Sequence, residues 1–259
     1  MILALLLACS PFKGIEDHWN AAWQACDPDT VQGEPDPYDL DATLSADCQD
    51  TLLDDFKVDR ESLAAVAETE TSPALDACFV TSAFTLLSRD AGRFATTDVG
   101  DGVFQIYLDQ MQEVYWQLCG DDHRQLAYNY AAWFTVGVVV DESMDDGALA
   151  GTSEDGLHLA PGAVDECGVE LAQVLFHESG HPNLGDHVAC PKDFAFTDCP
   201  DCTEVTATAC DPDDQGTFAM ESSLLALWAG ICEEDVEGNT CAYLEEAQGV
   251  AEDLATAWE

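Results

Sequence analysis

A cluster of histidines in the second half of the sequence could bind a metal ion. His177, Glu178 and His181 form the sequence HESGH, and His187 follows six residues after His181. Residues four apart on an α-helix lie on the same face, so His177 and His181 could present imidazole nitrogens to one ion. Glu178 could act as the base that takes a proton from a metal-activated water. This spacing is typical of a zinc site with an adjacent general base.

The residues after His181 decide how the chain could deliver a third ligand. Pro182 has no backbone N–H and disfavours helical geometry in the residue before it, so we expect the helix to end or kink here. Gly185 can adopt a positive φ at no steric cost. A turn at Gly185 would bring His187 to the metal from another direction, which makes His187 the first candidate for the third ligand.

The segment HESGHPNLGDH resembles the HExxHxxGxxH signature of the metzincin clan of zinc peptidases. The family has a glycine three residues after the second histidine, where this sequence has Leu184; its glycine follows at Gly185. The resemblance implies a zinc-dependent peptidase with one catalytic Zn²⁺. It also implies a methionine turn beneath the metal, for which Met220 is the candidate.

A related zincin pattern, that of the gluzincins, takes its third ligand from a glutamate on a later helix. Glu221 heads a predicted helix of this kind. The pattern lacks the second acidic residue that usually accompanies that glutamate, so Glu221 ranks behind His187. Both candidates stay open at this point.

The predicted fold is α+β and mainly helical, with a zincin-like core that contains an active-site helix and a small sheet. The spacing of apolar residues predicts helices near 42–69, 73–90 and 103–118 and around Trp19 and Trp23. β-Branched and aromatic residues predict strands at Trp133–Val140 and at 156–161. By resemblance to zincins, segment 156–161 is expected to be an edge strand that binds extended substrate, with His158 as a structural or surface residue.

The N-terminus predicts export with a lipid anchor. Residues 1–8 are almost wholly apolar and end in Leu6-Leu7-Ala8 before Cys9, which resembles the signal of a bacterial lipoprotein with Cys9 as the lipidated residue. The apolar stretch is short and no lysine or arginine precedes it, which suggests that the true start codon lies upstream. We expect one exported domain over 9–259, at the outer membrane or cell surface, with a helical part at about 10–120 and a metal-site part at about 121–259.

Twelve cysteines are many for a chain that stays in a reducing compartment. Four of them follow the histidines: Cys190, Cys199, Cys202 and Cys210. Disulfides that hold a loop beside the site are the favoured interpretation, ahead of a four-cysteine zinc site and a redox CxxC. Cys232 and Cys241 are close enough in sequence to form a further local disulfide.

The charge of the chain restricts its partners. There are 52 acidic residues against 7 basic ones, a formal net charge of −45. Such a field repels phosphate and attracts cations, so nucleic acid is not an expected partner. Adaptation to a saline environment is the simplest explanation.

One acidic segment matches the first half of a calcium-binding loop. Asp211, Asp213, Gln215 and Gly216 have the required spacing, but the expected position 12 is Ser222, and Glu221 comes one place early. Calcium is therefore only a secondary possibility, and an acidic turn that caps the next helix is the favoured interpretation.

Together these observations predict a zinc-dependent metallopeptidase at the cell surface or in the periplasm. His177, His181 and His187 would bind the metal, Glu178 would be the general base, and peptides or proteins would be the substrate. The alternative is a non-catalytic, cysteine-rich surface lipoprotein with a structural or vestigial metal site.

Overall fold

The structure is a computed structural model, and it confirms a mainly helical α+β chain with one small sheet. It describes residues 21–28, 31, 33–66, 72–90, 127–144, 149–191, 194, 209–212, 216–232 and 234–257. Cys9, Trp19 and the predicted helix at 103–118 lie outside these residues. All structural statements below concern the described residues.

The elements follow one another in a fixed order. A helical segment at 21–26 precedes the numbered elements. These are α1 (Leu40–Thr43), α2 (Ala46–Asp55), α3 (Arg60–Ala64), α4 (Leu75–Asp90), α5 (Ala127–Phe134), β1 (Val138–Val140), β2 (Ala150–Ser153), β3 (Gly156–Leu159), the 3₁₀ helix η1 (Pro161–Glu166), α6 (Val169–Leu184), α7 (Thr217–Ile231) and α8 (Glu234–Ala255). They form two compact units, one ending at Ser179 and the other beginning at Gly180.

The core of the first unit is built around α4. Phe79, Phe84 and Leu87 on this helix are fully buried. Phe56 packs edge to face on the rings of Phe79 and Tyr128, with centroids 5.4 and 5.6 Å apart. A disulfide between Cys78 on α4 and Cys167 at the end of η1 links segments 89 residues apart. Helix α4 confirms the helix predicted at 73–90.

The predicted helix at 42–69 is divided into three short ones. Ser45 accepts a hydrogen bond from the backbone N–H of Cys48 at 3.1 Å, and Asp59 accepts from Glu61 N–H at 3.1 Å. Both residues cap the start of a new helix, because their side chains satisfy backbone donors that have no intrahelical partner. Apolar spacing alone did not reveal these breaks.

The sheet corrects the prediction that 156–161 is an edge strand. Strand β3 confirms a strand at Gly156–Leu159, but it lies in the centre of the order β1-β3-β2. It pairs parallel with β1 and antiparallel with β2. Strand β2 was not predicted, because Ala-Gly-Thr-Ser contains one β-branched residue, Thr152, and no aromatic residue, so it has little of the composition that marks most strands.

The predicted strand Trp133–Val140 is wrong in its first half. Helix α5 continues to Phe134, and only Val138–Val140 forms strand β1. Tyr130 and Phe134 are four residues apart on α5, and their ring centroids are 4.7 Å apart; Tyr130 also lies 5.7 Å from Phe176. Packing of aromatic side chains along one helix face therefore overrides their preference for strands.

The second unit contains the helix pair α7 and α8. Trp228 on α7 and Leu244 on α8 are fully buried, and the helices pack against each other. The predicted disulfide between Cys232 and Cys241 is confirmed and links the end of α7 to α8. The backbone N–H of Asp211 donates to the carbonyl of Leu254 at 3.1 Å, which fixes the segment before α7 to the end of α8.

The eight described cysteines form four disulfides, which are compatible with an extracytoplasmic protein. Among the helices that the structure describes, none is long and apolar enough to cross a membrane.

Gly156 generates a prediction about the sheet. Its φ is +137°, and a Cβ added there would lie 2.6 Å from the carbonyl oxygen of Gly137, just before β1. We expect Gly156→Ala to lower the free energy of unfolding by about 1–3 kcal/mol, because the backbone conformation and the contact are both unfavourable. The control is Gly162→Ala, where an added Cβ has no heavy atom within 4 Å; we expect a change within about 0.5 kcal/mol. Urea denaturation measures both, and equal stabilities would contradict this account.

Candidate metal centre

Helix α6 carries the HESGH motif and begins as an amphipathic helix. Leu171, Leu175 and Phe176 are fully buried and fix one face of the helix against the first unit. His177 and Glu178 come next, and each is only 8% exposed. The apolar run thus brings the motif into a largely water-excluded position.

The helix does not end at Pro182, which corrects the first of the two alternatives predicted there, an end or a kink. It continues to Leu184, with Pro182 in its last turn. Proline cannot donate a hydrogen bond to the carbonyl four residues earlier, which belongs to Glu178. The hydroxyl of Thr152, on β2, instead lies 3.0 Å from that carbonyl oxygen and can donate to it. The single proton of this hydroxyl is shared between that carbonyl and the side chain of Glu178, so a side chain from the sheet partly replaces the missing helical donor.

Gly185 ends the helix as predicted, with a φ of +86°. Its N–H donates to the carbonyl of His181 at 3.1 Å, and its own carbonyl oxygen lies 2.8 Å from Nδ1 of His181. This contact favours a proton on Nδ1, since a carbonyl can only accept. With the proton on Nδ1, Nε2 of His181 is the nitrogen that could bind a metal.

His187 follows in the turn and has its own set of contacts. Oδ1 of Asp211 lies 3.2 Å from Nδ1, and Oγ1 of Thr217 lies 3.4 Å from Nε2. The ring of Phe218 stacks on the imidazole, with centroids 4.3 Å apart and planes at 21°. The imidazoles of His181 and His187 meet edge to face, with centroids 4.7 Å apart.

The three histidines come together as one potential metal site. One ring nitrogen from each of His177, His181 and His187 can be chosen so that all three lie within 4.8 Å of one another. His177 is buried, and the other two are partly exposed. Three imidazole nitrogens are a donor set that suits zinc and other divalent transition metals. Glu221, the second-ranked ligand, is buried on α7 and does not belong to this group.

Glu178 is held by the same threonine that compensates for Pro182. The Thr152 hydroxyl lies 2.9 Å from Oε2 of Glu178, besides its contact with the carbonyl of that residue. Thr152 thus connects the candidate base to β2. Sequence analysis missed Thr152, because a contact across 26 residues leaves no local pattern.

Gly180 allows close packing inside the motif. A Cβ added there would lie 2.7 Å from Cε of Met220 and 2.8 Å from Cγ2 of Thr217. A side chain larger than hydrogen at this position would therefore collide with residues of α7. Met220 lies within the first turns of α7 and not in a separate turn, so the expected methionine turn is not present in that form.

Asp211 has a different role from the one considered in the calcium-loop pattern. It is 1% exposed, and Oδ2 accepts a hydrogen bond from the backbone N–H of Ala219 at 3.0 Å. Asp211 therefore caps α7, as the favoured interpretation predicted, and also faces His187. Asp213 and Gln215 lie outside the described residues.

The cysteine cluster after the histidines is not a four-cysteine zinc site. Cys190 and Cys210 form a disulfide, so their sulfurs are not available as thiolate ligands. Cys199 and Cys202 lie outside the described residues. The favoured prediction of a disulfide beside the histidine cluster is confirmed for this pair.

His158 lies in a separate polar network on the sheet. Its Nε2 is 2.8 Å from Oγ of Ser153, and its Nδ1 is 3.3 Å from Oδ2 of Asp141. Hydrogen bonds from the side chain and backbone of Ser143 are the main cause that lowers the pKa of Asp141. The Ser153 oxygen also accepts from the N–H of Asp155 in the turn between β2 and β3. These contacts tie the hairpin together and support a structural role for His158.

The histidine group makes a direct prediction about metal binding. His177→Ala, His181→Ala and His187→Ala each remove a candidate ligand and should therefore weaken Zn²⁺ affinity. Loss of an outer-shell contact typically costs about 10–100-fold in affinity, and we expect the loss of a ligand to cost at least as much. His158→Ala is the matched control and should leave the affinity unchanged. Competition with a chromophoric chelator measures the affinities. Equal affinities for wild type and all four variants would rule out this group as the zinc site.

Comparison with protein-family models, with curated proteins and with solved structures gave no match. The assignment of function therefore depends on the geometry of the site itself.

Proposed function

We propose that the protein is a zinc-dependent metallopeptidase that hydrolyses peptide bonds by metal-activated water. The observation that carries the proposal is the group formed by His177, His181 and His187, with Glu178 next to the first of them on the same helix. His187 rather than Glu221 is the proposed third ligand. Zinc is the proposed metal because three neutral imidazoles with an adjacent carboxylate are a common catalytic zinc environment.

The contacts around the ligands support metal binding. A histidine that binds a metal usually donates its other N–H to a carbonyl or carboxylate, which orients the ring. Nδ1 of His181 faces the Gly185 carbonyl at 2.8 Å, and Nδ1 of His187 faces the Asp211 carboxylate at 3.2 Å. In both rings Nδ1 therefore faces an acceptor, which favours Nε2 as the metal-binding nitrogen. At His187 the metal would take the place of the Thr217 hydroxyl, which lies 3.4 Å from Nε2.

Bound zinc would supply Lewis acidity, which acidifies water and polarises a peptide carbonyl. The protein's contribution is to place a base and to exclude bulk water. Glu178 would accept a proton from the attacking water at a carboxylate oxygen and deliver it to the nitrogen of the leaving amine. Its low exposure and its contact with Thr152 keep the carboxylate in one position for both transfers.

The alternative is a non-catalytic lipoprotein with a structural metal site. A structural zinc site is normally closed by four protein ligands, whereas a catalytic site keeps one position open. The group contains three histidines, and no fourth His, Cys, Asp or Glu of the described residues belongs to it. This count favours the catalytic alternative.

We also propose that the protein is exported and anchored through lipid on Cys9, at the outer membrane or cell surface. The four disulfides support an oxidising compartment. Peptides or proteins outside the cytoplasm would then be the substrates.

Replacement of the base tests the catalytic proposal. Glu178→Gln should keep near-stoichiometric zinc but lower kcat/KM on a mixed peptide library by about 100-fold or more, the usual contribution of a general base. The control is Glu154→Gln, an exposed glutamate in the turn between β2 and β3, which should cleave like wild type. A wild type that holds zinc and cleaves no peptide would instead support the structural alternative.

Thr152 gives a second test, based on its hydroxyl. Thr152→Val keeps the shape of the side chain but removes the donor to Glu178. We therefore expect zinc to be retained and kcat to fall by about 10-fold, which is less than the roughly 100-fold expected for loss of the base itself, because the carboxylate remains and only its positioning is weakened. Thr152→Ser retains the hydroxyl and should remain close to wild type. Similar kcat values for the valine and serine variants would show that the hydrogen bond does not position the base.

A further inference from the structure

The third histidine is held by residues that are distant in sequence. His187 lies before the segment 191–209, and Cys210 and Asp211 follow it. We infer that Asp211 is a positioning residue for His187 and that the Cys190–Cys210 disulfide keeps the two together, so that metal affinity depends on this disulfide. The inference rests on the proposed metal site. It identifies what holds His187, the proposed ligand that does not lie on helix α6.

Backbone pairing sets His187 opposite Asp211. The N–H of Val188 donates to the carbonyl of Cys210 at 2.8 Å, and the N–H of Cys210 donates to the carbonyl of Val188 at 2.8 Å. The two residues form an isolated antiparallel bridge. In antiparallel pairing the residue before one partner faces the residue after the other, which places His187 across from Asp211.

Two backbone hydrogen bonds alone would hold the ends of this segment only weakly. A single bridge buries little surface and cannot compensate for the entropy lost when a loop is closed. The disulfide between Cys190 and Cys210 closes the same loop covalently, across a separation of 20 residues. The disulfide therefore holds the two ends of the segment together, which the two backbone hydrogen bonds could not do alone.

Asp211 is also fixed on the side away from His187. Its Oδ2 accepts from Ala219 N–H at the start of α7, and its backbone N–H donates to Leu254 on α8. A side chain at Gly216 would overlap the Asp211 carboxylate, so glycine is needed there. The carboxylate is thus held in place by the helix pair, and its Oδ1 faces the imidazole.

The expected consequence is a defined tautomer of His187. A carboxylate oxygen 3.2 Å from Nδ1 favours the proton on that nitrogen. Nε2 then carries the electron pair, which can accept from the Thr217 hydroxyl at 3.4 Å or, in place of it, bind a metal. Loss of such an outer-shell partner typically costs about 10–100-fold in metal affinity. Separation of His187 from Asp211 should have the same effect as removal of the carboxylate.

Zn²⁺ competition with matched variants tests both parts of the inference. Asp211→Asn keeps an oxygen that can cap Ala219 but removes the charge that faces His187; Asp186→Asn is its control, since Asp186 is exposed next to the same histidine. The double variant Cys190→Ser/Cys210→Ser is compared with Cys26→Ser/Cys48→Ser, which opens a loop of similar separation, 22 residues, in the first unit. We expect about 10–100-fold weaker Zn²⁺ binding for Asp211→Asn and for Cys190→Ser/Cys210→Ser only.

A second readout needs no metal. In ¹⁵N-histidine-labelled, metal-free protein, NMR should show the His187 proton on Nδ1 in wild type and a shift toward Nε2 in Asp211→Asn. If wild type binds no zinc, the peptidase proposal fails while this tautomer still tests the positioning role. A wild-type proton on Nε2, or equal zinc affinities in the two cysteine double variants, would overturn the inference. If the Cys190→Ser/Cys210→Ser protein does not fold, the Zn²⁺ affinity of Asp211→Asn tests the inference alone. An affinity equal to that of Asp186→Asn would then overturn the inference.

Discussion

The candidate site depends on a regular turn in helix α6 next to Pro182. His177 and His181 share a helix face only if the turn between them is regular, and Pro182 removes the backbone donor that would normally support that turn. The hydroxyl of Thr152 supplies a replacement donor to the carbonyl of Glu178. Strand β2 therefore helps to keep the helix that carries the HESGH motif regular, and the small sheet contacts the candidate site through Thr152.

The orienting partners of the site come from three kinds of structure. The turn that ends α6 provides the carbonyl for His181, a strand provides the hydroxyl for Glu178, and the loop before α7 provides the carboxylate for His187. Each of these partners is also fixed through its backbone: Gly185 and Asp211 donate backbone hydrogen bonds, and Thr152 is paired within the sheet. This arrangement is what a preorganised site requires, since ligands that are already oriented lose little freedom when a metal binds.

Sequence analysis succeeded where the determinants are local. The spacing of His177 and His181, the positive φ of Gly185 and the disulfide between Cys232 and Cys241 all follow from residues close together in the chain. It failed where tertiary contacts decide. The aromatic residues of α5 looked like a strand, and β3 became a central strand because β2, which carries almost no strand signal, pairs with its other side. Thr152 and Asp211 could not be assigned because their contacts join residues that are 24–26 positions from them in sequence.

If the inference above holds, the disulfide between Cys190 and Cys210 also determines when the candidate site can be completed. A newly made chain in a reducing cytoplasm has free thiols, and the disulfide forms only in an oxidising compartment. If the protein is exported and is the zinc peptidase proposed above, with a third ligand that depends on this bond, it would be inactive where it is synthesised and would bind its metal after export. Such timing would protect the producing cell from its own peptidase without a separate inhibitory propeptide.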